Sequence, residues 1–235
     1  MLGSKIEMIS FQEGIDRLTA DFTANGIPID KPGFYDHPQF IAIEKSFPIY
    51  LNNYARFVQQ RSYDGFYLDR ARREIPIIAN ALHRELLSDG RQGACVDASA
   101  ALSRILEKEG YWNFVVKGSL TITFASTSRI PNRYFWSVDQ GDFVAGHAWV
   151  FAPPFKVLDI TIRQQGHTRH EREYLPDSVL AESPSRSKPA VADIISPTLR
   201  SHLRGAGVLE KNQLKYVNPR MSLFLDTFDT YLINV

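Results

Sequence analysis

One cysteine, Cys95, occurs in the 235 residues, and its setting makes it the first candidate for chemistry. It follows the turn-forming run Ser88-Asp89-Gly90-Arg91-Gln92-Gly93-Ala94. It opens a segment, Cys95 to Glu109, whose apolar residues Ala98, Ala101, Leu102, Ile105 and Leu106 recur at helical spacing. That puts the sulfur at a helix N-terminus, where the partial positive charge favours thiolate over thiol. A free thiol titrates at about 8.5, and helix N-termini or cationic neighbours lower it to about 3.5–7.5. Gly93 lets the backbone pass close to a substrate. The amide of Cys95 can donate to an oxyanion. Gln92 is a candidate side-chain donor for the same oxyanion, its alternative being a solvated loop amide.

A thiolate nucleophile needs a base, and the base needs an orienter. His147 opens the strand-like run His147-Ala148-Trp149-Val150-Phe151, and Asp159 sits in the next one, Val157 to Thr161. Pro153-Pro154 between them suits a hairpin turn. A hairpin centred there puts His147 roughly opposite Asp159 or Ile160. A carboxylate in that position fixes the imidazole tautomer and supports the imidazolium. An acid among Val157, Leu158 and Ile160 costs several kcal/mol unless it is paired, and His147 is the nearest partner. Each residue has a plainer reading. A lone cysteine is often a small buried hydrophobe, His147 can be a satisfied core histidine, and Asp159 a strand-end cap. Trp149 is either core or a wall of the acyl pocket.

The elements that must hold these groups fall into three regions. Residues 1–90 read as a helical region: Phe11 to Ala24, then Gln39 to Arg61 interrupted at Pro48, then Asp64 to Leu87 with Pro76 a second kink or break. Gly90 and Gly110 are natural helix stops. Residues 91–165 carry the cysteine helix and the strand-like runs Phe114–Val116, Leu120–Phe124, Tyr134–Trp136, 147–151 and 157–161. Residues 166–235 read as a covering segment, polar and proline-punctuated to Pro197, with an apolar end (Met221 to Val235) that packs back on the core. The expected class is α+β, in one domain overall.

Composition narrows the field. Lys+Arg number 27 against 26 Asp+Glu, a net charge of +1, which argues against a nucleic-acid surface. No apolar run approaches the roughly 18 residues of a membrane span. The N-terminal residues lack a secretory signal's apolar stretch. One cysteine excludes an internal disulfide and a multi-cysteine zinc site, so a reducing, cytoplasmic setting fits; injection or non-classical export is compatible too. His167 and His170 have no convincing metal-ligand spacing, and no cofactor is expected. The Arg70, Arg72 and Arg73 run reads as a solvated helix face.

Gly93-Ala94-Cys95 at a helix start, Gly110 at its end with a strand and Gly118 beyond, His147-Ala148-Trp149 on a strand, then Asp159-Ile160-Thr161: this pattern resembles the transglutaminase-like fold of the papain-like cysteine enzymes. It covers about residues 91–165. The resemblance implies a helix packed on an antiparallel sheet and a triad carried by Cys95, His147 and Asp159. It implies acyl transfer through a thioester, with a protein or peptide amide as substrate and water or an amine as acceptor. Protease, deamidase and transglutaminase chemistries all fall within that description. Val96 follows the nucleophile where arylamine N-acetyltransferases, which share the triad logic, carry an aromatic residue. Those acyltransferases, and a catalytically silent binding module of the same fold, are the alternatives.

Overall fold

The computed structural model describes residues 14–90, 94–118, 120–131, 133–135, 147–187, 204–205, 207 and 230–234. Helix α1 (14–24) is followed by a 3-10 turn at Phe34–Asp36, α2 (Pro38–Ser46), a second 3-10 turn at Pro48–Tyr50, and α3 (Leu51–Gln60). Pro48 therefore splits the second helical stretch, as its missing amide and fixed φ require. Helix α4 (Gly65–Asp89) behaves differently: it runs its 25 residues without a break, with Pro76 inside. Ala71, Ile75 and Ala79 on its inner face are completely buried, and that packing outweighs the lost backbone bond. Asp64 caps its start by accepting from the Tyr67 amide at 2.7 Å, and Gly90 ends it at φ 70°.

Helix α5 (Cys95–Lys108) begins at the cysteine. Beyond Gly110, at φ 81°, come β1 (Phe114–Gly118), β2 (Leu120–Thr123), β3 (Arg133–Phe135), β4 (His147–Ala152) and β5 (Phe155–Asp159). A short helix α6 (Arg169–Tyr174) precedes β6 (Val179–Ala181), β7 (Ser185–Ser187) and β8 (Thr230–Asn234). The fold is α+β.

The strands form two four-stranded sheets. The first, antiparallel throughout, has the order β1-β4-β5-β6; the second has the order β3-β2-β8-β7, with β2 and β8 parallel. β1 and β2, close neighbours in sequence, thus enter different sheets. Two findings differ from the sequence reading of 166–235 as cover. Val179–Ala181 completes the first sheet as its edge strand, opposite Val157, Leu158 and Asp159. Thr230–Asn234 lies inside the second sheet. Trp136, at the end of the third strand-like run, lies outside the described residues, as does most of 188–229.

Helix α5 packs on the face of the first sheet that carries Val150, Ala152, Leu158 and Ile160. It does so with Ala98, Leu102 and Leu106, while Ala71, Ile75 and Ala79 of α4 close the same cluster. Trp149 and Val157 pack elsewhere, with Ile122, Phe124, Ile162, Leu175 and Val179. The helices α1–α3 enclose an aromatic cluster: Phe22, Phe34, Phe40, Tyr50, Tyr54, Phe57 and Trp112. It meets the sheet where Phe114 and Phe151, opposite each other on β1 and β4, stack at 4.9 Å.

Candidate active site

The β4–β5 hairpin does more than bring two strands together. Ala152 lies opposite Phe155, but Val150 lies opposite Leu158, so β5 spends three residues where β4 spends two. This is a β-bulge, and a one-residue slip exchanges the two faces of a strand. Without it, continuing the Ala152–Phe155 register would set His147 opposite Ile160 and turn Asp159 to the other face. With it, Leu158 and Ile160 join the α5 side, while Val157 shares a face with Trp149. Asp159 then falls on the face of His147, one diagonal step away. The exposed Lys156 takes up the slip.

The result is a hydrogen bond of 2.6 Å between His147 Nε2 and Asp159 Oδ2. Both residues are 1% exposed. Two further donors, the Thr161 amide at 2.8 Å and the Thr161 hydroxyl at 2.9 Å, reach the other carboxylate oxygen, Oδ1. Neither oxygen of the buried acid is left without a donor, which the cost of an unpaired buried charge demands.

Cys95 is the first residue of α5. The first amides of a helix have no intrahelical acceptor, and the N-cap residue, Ala94, offers no side-chain oxygen to them. The thiol is half-buried, and the His147 ring and the Ala148 amide are near enough to act on its titration. Burial alone would push the thiol up. The His147 hydrogen bond and charge, together with the Ala148 amide, outweigh it and hold Cys95 below its ordinary value, with the Asp159 charge acting in the opposite direction. Burial disfavours the imidazolium, but the charge and hydrogen bond of Asp159, aided by Cys95, raise His147 to about 9. Each partner thus favours the other's charged form.

The remaining candidates separate. Gln92 and Gly93 lie outside the described residues. Trp149 is completely buried in a core cluster, with its ring 6.3 Å from that of His147, so it backs the histidine from inside. His167 is buried, with Nε2 2.8 Å from the Ile162 carbonyl, whereas His170 is exposed beside Glu173. Among the described residues no group of three His, Cys, Asp or Glu side chains could hold a metal ion. Among them too, no helix is long and apolar enough to cross a membrane. Arg70 and Arg72 pair with Glu74 and Glu182 on the surface.

The sequence names Thr161 in the Asp159-Ile160-Thr161 run, but no role is assigned to it there. An Asp-x-Thr step at the end of a strand is a signal for side-chain capping of the acid, and here it supplies both donors to Oδ1. The sequence reading did not find His83, which is buried on α4 with Nδ1 2.9 Å from the Ile160 carbonyl. That contact ties α4 to the residue beside Asp159, and no local pattern announces it. No protein-family model, curated protein or solved structure matches the chain.

Proposed function

We propose that the chain is a cysteine-dependent acyl-transfer enzyme with a papain-like, transglutaminase-like core, acting on an amide bond of a protein or peptide. The observation that carries this reading is the buried His147–Asp159 hydrogen bond with Cys95, at a helix N-terminus, beside the same imidazole. A structural histidine has no need of a half-buried thiol there, and a structural cysteine has no need of a histidine raised to about 9.

The chemistry follows from the geometry. The Cys95 thiolate attacks the amide carbonyl carbon, forming a C–S bond and moving the carbonyl electron pair onto oxygen. The α5 N-terminal amides face that developing charge. The imidazolium gives the proton on Nδ1 to the leaving nitrogen, the C–N bond breaks, and an amine departs from the thioester. Water or an amine then attacks the thioester, giving its proton back to Nδ1. The C–S bond breaks and the thiolate returns. Asp159 holds Nε2–H throughout, so only Nδ1 exchanges protons.

The test is the rate of Cys95 alkylation by iodoacetamide against pH, in the native chain and in His147→Ala. A single thiol makes the signal unambiguous. We expect an apparent thiol pKa well below about 8.5, shifted upward by the substitution. An ordinary or unreactive thiol that ignores the substitution overturns the proposal. A reactive pair leads to a screen of peptide amides with water and amine acceptors, against acyl-thioester donors.

A further inference from the structure

Residues 159–161 leave β5 with the Asp159 carboxylate, the Thr161 amide and hydroxyl, and the Ile160 and Thr161 carbonyls all bonded within the protein. The Asp159 carboxylate takes His147 on one oxygen and Thr161 twice on the other. The Ile160 carbonyl faces His83 at 2.9 Å, and the Thr161 carbonyl accepts from Gln165 at 3.2 Å. Thr161 itself is 5% exposed. A carboxylate on a single Cβ rotates freely about its last bond unless its second oxygen is held. Here the hydroxyl and amide of one residue hold Oδ1, and the clamped main chain holds that residue.

We propose that Thr161 is the positioning residue of the site: its hydroxyl locks the Asp159 carboxylate so that Oδ2 stays on His147 Nε2. It touches neither the thiol nor the reacting atoms and acts through Asp159 alone. The inference rests on the triad reading above. It goes beyond it by assigning to one removable hydroxyl, beside the Thr161 amide, a share in orienting the acid.

Thr161→Val keeps the shape and the residue-161 amide while deleting only the hydroxyl, and Thr161→Ser restores it. In Thr161→Val, we expect alkylation of Cys95 at neutral pH to slow about fivefold, the size of one side-chain hydrogen bond, with the apparent thiol pKa moved up. Thr161→Ser should keep both at native values. A residue that only packs would lower the melting temperature of Thr161→Val without moving the pH profile, and that result overturns the proposal. So does an equal shift in T161V and T161S, which would trace the effect to packing. The His147 Nε2–H proton, followed by NMR, gives a readout independent of thiol reactivity. It should broaden or shift in T161V and stay native in T161S, and an unmoved resonance also overturns the proposal. If native and His147→Ala profiles coincide, the acyl-transfer reading falls. The proton resonance then still decides whether Thr161 positions Asp159.

Discussion

The aromatic cluster beneath α1–α3 and the end of the β4–β5 hairpin are equally buried, yet they are held by opposite means. Phe22 meets Phe34, Phe57, Phe40 and Tyr50 at ring-centroid distances of 5.0, 5.7, 6.1 and 6.1 Å, mostly edge to face. Such pairs add about 0.5–1.5 kcal/mol each beyond the area they bury, and none of these four ring pairs contains a charged group. At the hairpin end, His147 and Asp159 are buried ionisable groups whose mutual attraction must first offset their desolvation. Packing maximises stability in the first region. In the second, stability is balanced against the raised proton affinity of His147.

That contrast breaks most visibly through Phe22. Phe22→Ala should cost about 3–5 kcal/mol in urea unfolding while leaving the pH profile of Cys95 alkylation where it was. A shifted thiol profile would mean that the cluster and the site are one cooperative unit.

The next largest effect belongs to pH. His147 rises from 6.5 to about 9 on folding, so the stability gained from its charged form is fully present below about 6.5 and is lost as pH climbs through about 9. Cys95→Ser removes the thiol's own titration and keeps the Asp159 contact. In that variant we expect unfolding free energy to fall between those limits by on the order of 2 kcal/mol. His147→Ala on the same background should flatten the curve. A flat curve with His147 in place would show that its charge is not stabilised by folding.

How much of this was legible in the residues depends on the range of the interactions. Helix limits were legible because caps are local: Gly90 and Gly110 take the left-handed backbone that ends α4 and precedes β1. The start of α5 at Cys95 and the hairpin about Pro153-Pro154 were legible for the same reason. Sheet membership was not. Nothing local separates β1 from β2, because β1 finds β4 and β2 finds β3 and β8 far along the chain. The edge strand Val179–Ala181 hides in a polar, proline-rich stretch and is defined by β5. The bulge was the costliest omission. An alternating pattern cannot report one extra residue, yet that residue turns Asp159 toward His147. Pro76 shows the converse, a strong local signal overridden by three buried positions on α4.

Asp159→Asn sharpens the same comparison with an effect near tenfold. The substitution keeps size and a hydrogen bond but removes the charge that, against the cost of burial, raises His147. Alkylation at pH 6.5 should fall about tenfold as the thiolate fraction drops. Comparable rates in the two proteins would assign the thiol's activation to the helix end alone.

The smallest expected effect lies between the two regions, where the 3-10 turn at Phe34–Asp36 touches the cysteine helix. Arg104 of α5 binds Asp36 through two guanidinium nitrogens, and it also lies 3.1 Å from Glu107. Arg104 and Asp36 are about half exposed, so water screens their attraction and exposed pairs of this kind contribute about 0.2–1 kcal/mol. Asp36→Asn leaves Arg104 its Glu107 partner and strands no buried charge. Tyr35, next in the chain, still donates to Glu107 at 2.7 Å and keeps the turn seated on α5. The cost should therefore stay below about 1 kcal/mol in low salt and vanish near 1 M salt, with Cys95 reactivity unchanged. A larger, salt-independent loss, or a moved thiol profile, would mean that the aromatic region sets the pose of the cysteine helix through this one surface pair.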